Sequence, residues 1–169
     1  ICPFTGVFDG NGHTITNVVI NQPHSNHVGL FGYVGSGGQV LNLNIRNVTI
    51  VGYSYVGALL GYNFTGTIDT CCATGSVSGF DYVIGGLAGY NESGNIVGSS
   101  AVCEVTGQNY IGGLVGDNDS GSIISSSCDS IVIGFACIGG LVGYNSGTII
   151  SSSAMGSIYG DQEIGRAHV

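Results

Sequence analysis

The chain has 169 residues, 32 of them glycine, with 43% apolar residues, 7% charged residues, no Trp and no Lys. Its net charge of −8, with Arg46 and Arg166 as the only fixed cations, excludes the basic clusters that hold nucleic-acid phosphates or anionic membrane surfaces. Regularly recurring Val and Ile exclude disorder, and no apolar run approaches the ~20 residues of a membrane-spanning helix, so no membrane insertion is expected in this segment.

Residues 1–27 read as an N-terminal β rung and loop. Phe4 to Ile15 and Asn17 to Ile20 give two short apolar strands around a turn at Asp9-Gly10-Asn11-Gly12, and Pro23 marks a surface loop. From Val28 a phrase then recurs. It stands as VGLFGY at Val28, VGALLGYN at Val56, IGGLAGYN at Ile84, IGGLVGDN at Ile111 and IGGLVGYN at Ile138, each copy 28, 28, 27 and 27 residues after the last. Self-similarity at such a period marks a stacked repeat architecture.

Behind each phrase runs a fourteen-residue block bounded by glycine: 66–79, 94–107, 121–134 and 147–160. Its third position is always Ile (Ile68, Ile96, Ile123, Ile149) and its twelfth β-branched (Val77, Val105, Val132, Ile158), with small residues between. Gln39 to Val51 takes the block's place in the first repeat and alternates apolar with polar. β-branched residues at fixed places with Gly at the corners predict strand–turn–strand units, and the Leu/Ala/Glu/Lys-rich runs of a helical repeat are missing. A repeat of about three strands cannot bury its apolar face alone. Stacking in register would bury a column of Leu, one of Ile and one of Val. The expected fold is therefore all-β: a parallel β-solenoid, a right-handed β-helix by the general crossover preference, of about five 26–28-residue repeats over 28–163 plus the N-terminal rung. An antiparallel β-prism or propeller is the rival. Residues 164–169 break the repeat and match the translation of a common sequencing adapter from an environmental or metagenomic assembly. They are set aside as a non-native tail.

At the IGGLVGYN phrases the chain resembles the GLUG repeat family, over residues 28–163, with the G-T-I-x-x-S and S-I-x-G segments also as in that family. FTGVFDGNGHTITNVVI resembles the rung that often precedes such repeats. The resemblance implies a large secreted or surface-anchored bacterial protein, adhesin-like, or a region beside the catalytic part of an IgA-cleaving zinc metallopeptidase. It transfers no catalytic residue. The family's usual aromatic is missing at Ser100, Ser127, Ser153 and Cys72.

No site residue is assigned as catalytic, cofactor-binding or metal-binding, and no cofactor is expected. The cysteines Cys71, Cys72, Cys103 and Cys128 fall at different repeat positions and read as small core residues rather than disulfides; Cys2 and Cys137 are left open. Neither C-x-x-C nor H-E-x-x-H occurs. His13, His24 and His27 all precede the main repeats, and His13 reads as a strand-end residue rather than a base. The acids Asp69, Asp81, Glu92, Glu104 and Asp129 are spread over repeat positions, which weighs against a polysaccharide-cleaving β-helix enzyme; Glu92, Asp117 and Asp119 form a small acidic cluster that reads as a solvated turn before a calcium site. Asn47, Asn63, Asn91 and Asn118 begin N-glycosylation acceptors, with structural turns as the default reading, and the Thr67, Ser122, Thr148 column, interrupted by Asn95, is a weak candidate for a flat glycan- or ice-binding face.

The functional expectation is a non-enzymatic stalk or spacer of an extracellular or cell-surface protein, its partner a surface glycan, a protein or none. The alternative is an accessory substrate-binding region of a secreted peptidase or polysaccharide-degrading enzyme. Self-association through the C-terminal edge is also expected.

Overall fold

The computed structural model describes residues 2–161; the repeat boundary at Glu163 and the 164–169 tail lie outside the described residues. Within them every regular element is a strand, from Val7–Asp9 to Ser153–Gly160. The strands form four parallel sheets, the walls of a β-solenoid. Wall one contains Val56–Gly57, Tyr82–Gly85, Asn109–Gly112 and Ala136–Gly139. Wall two contains Phe31–Val34, Leu60–Phe64, Ala88–Glu92, Val115–Asp119 and Val142–Asn145. Wall three runs from Val7–Asp9 through Gln39–Leu41, Thr67–Asp69, Asn95–Val97 and Ser122–Ile124 to Thr148–Ile150. Wall four stacks Asn44–Gly52, Cys72–Gly79, Ser100–Thr106, Ser127–Gly134 and Ser153–Gly160, and the N-terminal strands Thr14–Thr16 and Val19–Asn21 both pair with its first long strand.

Each full repeat therefore holds four strands rather than the expected three. The phrase expected to be one strand bends after its first glycine. There the carbonyl of the residue three ahead folds back so closely that a Cβ on Gly85, Gly112 or Gly139 would sit 2.0, 1.9 and 1.9 Å from it. The other three corners turn on single left-handed residues, again in columns. His27, Tyr55, Val83, Tyr110 and Cys137 (φ 52–64°) mark the start of wall one, the last three as the second residue of their strands. Thr65, Ser93 and Ser120 lead into wall three, and Asn42, Thr70, Gly98, Ser125 and Ser151 into wall four. Non-glycine residues rarely adopt this conformation, and the β-branched Val83, Thr65 and Thr70 least of all, so the stacked walls hold these corners in place.

The interior carries the expected columns. Leu59, Leu87, Leu114 and Leu141 are fully buried, as are Ile68, Ile96 and Ile123, and Val77, Val105 and Val132. Val56, Ile84, Ile111 and Ile138 add a fourth column in direct register. Each such side chain contributes about 1.5–3 kcal/mol when withdrawn from water, but only a neighbouring rung can cover it.

Two polar ladders run beside the apolar columns. Asn63, Asn91 and Asn118 are fully buried at the end of wall two. Asn63 Nδ2 donates to Asn91 Oδ1 (2.8 Å), Asn91 to Asn118 (2.7 Å) and Asn118 to Asn145 (2.7 Å), while the same nitrogens donate to the carbonyls of Gly66, Gly94 and Gly121. The glycine three residues on makes room: a Cβ on Gly94 would lie 2.1 Å from Asn63 Nδ2, and one on Gly121 2.2 Å from Asn91 Nδ2. The glycosylation-like pattern at these three positions is thus a buried amide ladder, closed to modification in the folded chain. At the start of wall four, the backbone N–H groups of Cys71, Ser99 and Ser126 donate to the hydroxyls of Ser99, Ser126 and Ser152 at 3.1–3.2 Å.

Replacing Asn91 by Ala removes two ladder bonds and leaves Asn118 Oδ1 without a donor, so we expect a loss of about 2–4 kcal/mol in denaturant unfolding; a loss below about 1 kcal/mol would show that the ladder is solvated. In the same assay Gly89→Ala, whose Cβ would meet the backbone of Gly61, Val56 and Tyr55 at 2.6–2.7 Å, is expected to cost more than about 3 kcal/mol. Gly6→Ala, with only the Phe4 ring at 3.6 Å, should stay within about 0.5 kcal/mol of the parent.

Candidate functional site

Outward-facing residues of wall two form one more column. Tyr33 pairs with Tyr62, Tyr62 with Tyr90, Tyr90 with Asp117 and Asp117 with Tyr144. The residues before Tyr62 and Tyr90 are glycines whose backbones press against the left-handed corner of the previous rung: a Cβ on Gly61 would be 2.4 Å from the His27 carbonyl carbon, and one on Gly89 2.7 Å from that of Tyr55. This approach brings the corner rings against the tyrosine column. His27 stacks on Tyr55 at 4.9 Å between centroids and meets Tyr62 edge-on at 5.5 Å. Tyr55 meets Tyr62 at 6.3 Å and Tyr90 at 5.7 Å, while Tyr62 stacks on Tyr90 at 5.1 Å and Tyr33 tilts against Tyr62 at 4.8 Å. Together with Glu92 these rings line an open cleft of about 600 Å³.

Two of the acids around the cleft, Glu92 and Asp119, are engaged by tyrosines. Tyr62 Oη donates to Glu92 Oε2, and Tyr90 Oη donates to Asp119 Oδ2 at 3.1 Å. Glu92 and Asp119 occupy equivalent places one rung apart, so one motif repeats: a tyrosine hydroxyl reaching the carboxylate of the next rung. Asp119 also accepts from the hydroxyls of Ser146 (2.8 Å) and Ser120 (3.1 Å), and the Ser146, Tyr90 and Ser120 bonds hold its carboxyl below the usual range. Burial, followed by the bonded carboxylates, pushes the Tyr62 and Tyr90 phenols well above the ordinary tyrosine value, while burial and the Tyr82 contact raise Tyr55 to about 12. Burial lowers His27, which favours its neutral form, and His27 Nδ1 is buried without a hydrogen-bond partner. Asp117 is half-buried in the tyrosine column with Oδ1 likewise unpartnered; burial and the nearby Asp119 charge raise it to about 7.

The other sequence candidates lie elsewhere. His13 Nδ1 stands 3.0 Å from the Gly10 carbonyl in a turn, and His24 lines a small apolar recess with Pro23, Tyr53 and Phe80. Cys71, Cys103 and Cys128 are buried core thiols, and burial raises them to about 11, 12 and 12, which keeps them protonated. Cys2 is an exposed thiol and Cys72 a half-buried one. Glu92, Asp117 and Asp119 come close to the same aromatic rings, but no group of three His, Cys, Asp or Glu among the described residues has the arrangement of a metal site. Thr67, Asn95, Ser122 and Thr148 do stand in one register column on wall three. The sequence reading passed over the cleft itself. Its signal was the Tyr after the last Gly of the phrase in four of the five copies, together with His27, Tyr55 and Tyr110 just ahead of the phrase.

Part of the chain is similar to halomucin of Haloquadratum walsbyi, 43% identical over 97 residues that make up 57% of this chain and 1% of that protein. It is also similar, 44% identical over 69 residues, to a protein of Evansella cellulosilytica named as a Gly-rich membrane protein, covering 39% of this chain and 8% of that protein. The chain thus matches only a small part of either relative. No family model matches it, and no solved structure does.

The folded protein holds the Asp117 proton more tightly than the unfolded chain. Its contribution to stability is therefore complete below about pH 4 and is lost as the pH rises to about 7 and beyond. Asp117→Asn removes that loss. We expect its thermal midpoint to exceed the parent's by on the order of 3 °C at pH 8 and to match it near pH 4; equal midpoints at both pH values would contradict the burial of this carboxyl.

Proposed function

We propose that this chain is a non-catalytic structural segment, a stiff spacer or adhesive stalk, within a longer protein displayed at the cell surface. The observation that carries this reading is the stacking of four parallel walls, in register but for one shift between Asn44–Gly52 and Cys72–Gly79, with backbone ladders and apolar columns along the stack and two side-chain ladders from the second rung on. Such a stack resists bending, because displacing one rung breaks bonds on all four walls together. The relatives support the surface setting. Each matches this chain over a small part of a longer protein, and one is named as a membrane protein. The resemblance of the IGGLVGYN phrases to GLUG repeats points the same way. The tyrosine cleft favours a second reading, in which the segment also binds a ligand on behalf of a larger protein, for instance as the accessory region of a secreted enzyme.

The mechanical role is tested by pulling the whole chain between its ends in a single-molecule force experiment. Rungs that unpeel one at a time should give a ladder of force peaks separated by about 90 Å of released chain, the extended length of a ~27-residue repeat. A smooth extension without peaks would overturn the stalk reading.

A further inference from the structure

We propose that the cleft lined by His27, Tyr33, Tyr55, Tyr62, Tyr90 and Glu92 binds an organic ammonium cation of the choline type. The inference goes beyond the spacer reading and does not depend on it. It rests on which chemical groups the cleft offers and which it has already used.

The cleft offers ring faces and edges from two rows, with centroids 4.8–6.3 Å apart, and a carboxylate at one side. Two of its four tyrosine hydroxyls are spent on acids. The hydroxyls of Tyr62 and Tyr90 donate to Glu92 and Asp119, and that donation makes both rings richer in electrons. A sugar needs donors as well as acceptors, and an anion needs donors above all. A quaternary ammonium needs neither, because its positive charge is spread over methyl groups that pack on aromatic faces while a nearby carboxylate supplies the counter-charge.

The electrostatics favour the same ligand. Glu92 lines the cleft, and Asp117 continues the tyrosine column one rung beyond Tyr90, with its buried oxygen unpartnered. Nothing in the described residues answers this negative charge. The chain has no Lys, and Arg46 lies on wall four, where it pairs with Thr16. A cation bound at this cleft would therefore come from outside the chain.

The test is a titration of the full chain, carrying ¹³C-labelled tyrosine, with choline chloride at constant ionic strength. We expect saturable shifts of the Tyr33, Tyr55, Tyr62 and Tyr90 ring resonances, with a dissociation constant on the order of 1 mM. The neutral isostere 3,3-dimethylbutan-1-ol should bind at least tenfold more weakly. Glu92→Gln should weaken choline binding several-fold, and Tyr62→Leu should abolish the saturable shift while the far-UV circular dichroism stays unchanged. Co-sedimentation with phosphatidylcholine vesicles but not phosphatidylglycerol vesicles would assign the cation to a lipid headgroup; choline binding without co-sedimentation would assign a soluble one. Equal affinity for the neutral isostere, no shift with choline, or ring shifts caused only by sugars would each overturn the proposal. The isostere comparison uses the unaltered chain, so it stands even if a variant fails to fold.

Discussion

From the second rung on, each rung is held in step with the next by an asparagine amide that has one place to find its partner. The apolar columns do not fix the register unaided: Leu60, Ala88, Val115 and Val142 follow one another at one position, and a core that accepts all four discriminates weakly between alignments. Asn91 is different. It satisfies both the rung behind and the rung ahead, and a slip of one residue would strand its donor and its acceptor in the interior. The serine ladder does the same at the opposite end of wall three, so that wall is pinned on both sides. The first member shows the rule by exception. Asn63 follows Val34, which has no donor to give, and Asn63 Oδ1 is left without a partner.

The glycines translate this register into surface chemistry. Gly61 and Gly89 let wall two touch the left-handed corner of the rung before it, and only because of that contact do His27 and Tyr55 reach the tyrosines that follow. The cleft is a product of backbone packing between rungs, and no single repeat contains it. Its polarity has the same origin: the hydroxyl of one rung is spent on the carboxylate of the next.

The architecture was legible in the sequence because periodicity survives projection onto a line. The 27–28-residue spacing, Ile at the third block position and Val at the twelfth lead directly to stacked parallel rungs with Leu, Ile and Val columns. The fourth strand was hidden because the wall-one strands are as short as the two residues Val56–Gly57, and a glycine-rich phrase bends without any break in its apolar pattern. The asparagines were readable as turns but not as a ladder, because burial depends on what the neighbouring rung places above them. The cleft was the least legible. Tyr55 and Tyr90 lie 35 positions apart and meet only when one rung's corner is laid against the next rung's strand. The sequence reading gives the phrase tyrosines no role and takes Glu92 and Asp119 as parts of a solvated turn.

Wall two carries interior and exterior positions on the same strands, and this separates two kinds of inheritance. Asn91 and Ala88 answer to the rungs above and below, whereas Tyr90 and its counterpart Asp117 face outward at the same place in successive copies. Replacing tyrosine by aspartate there, as the fourth copy does, interrupts the aromatic row, which resumes at Tyr144, and leaves the buried columns as they were. A repeat array of this kind carries one changeable letter per rung. Duplicating or deleting a unit of about 27 codons lengthens, shortens or relocates a recognition surface, and the core needs no redesign.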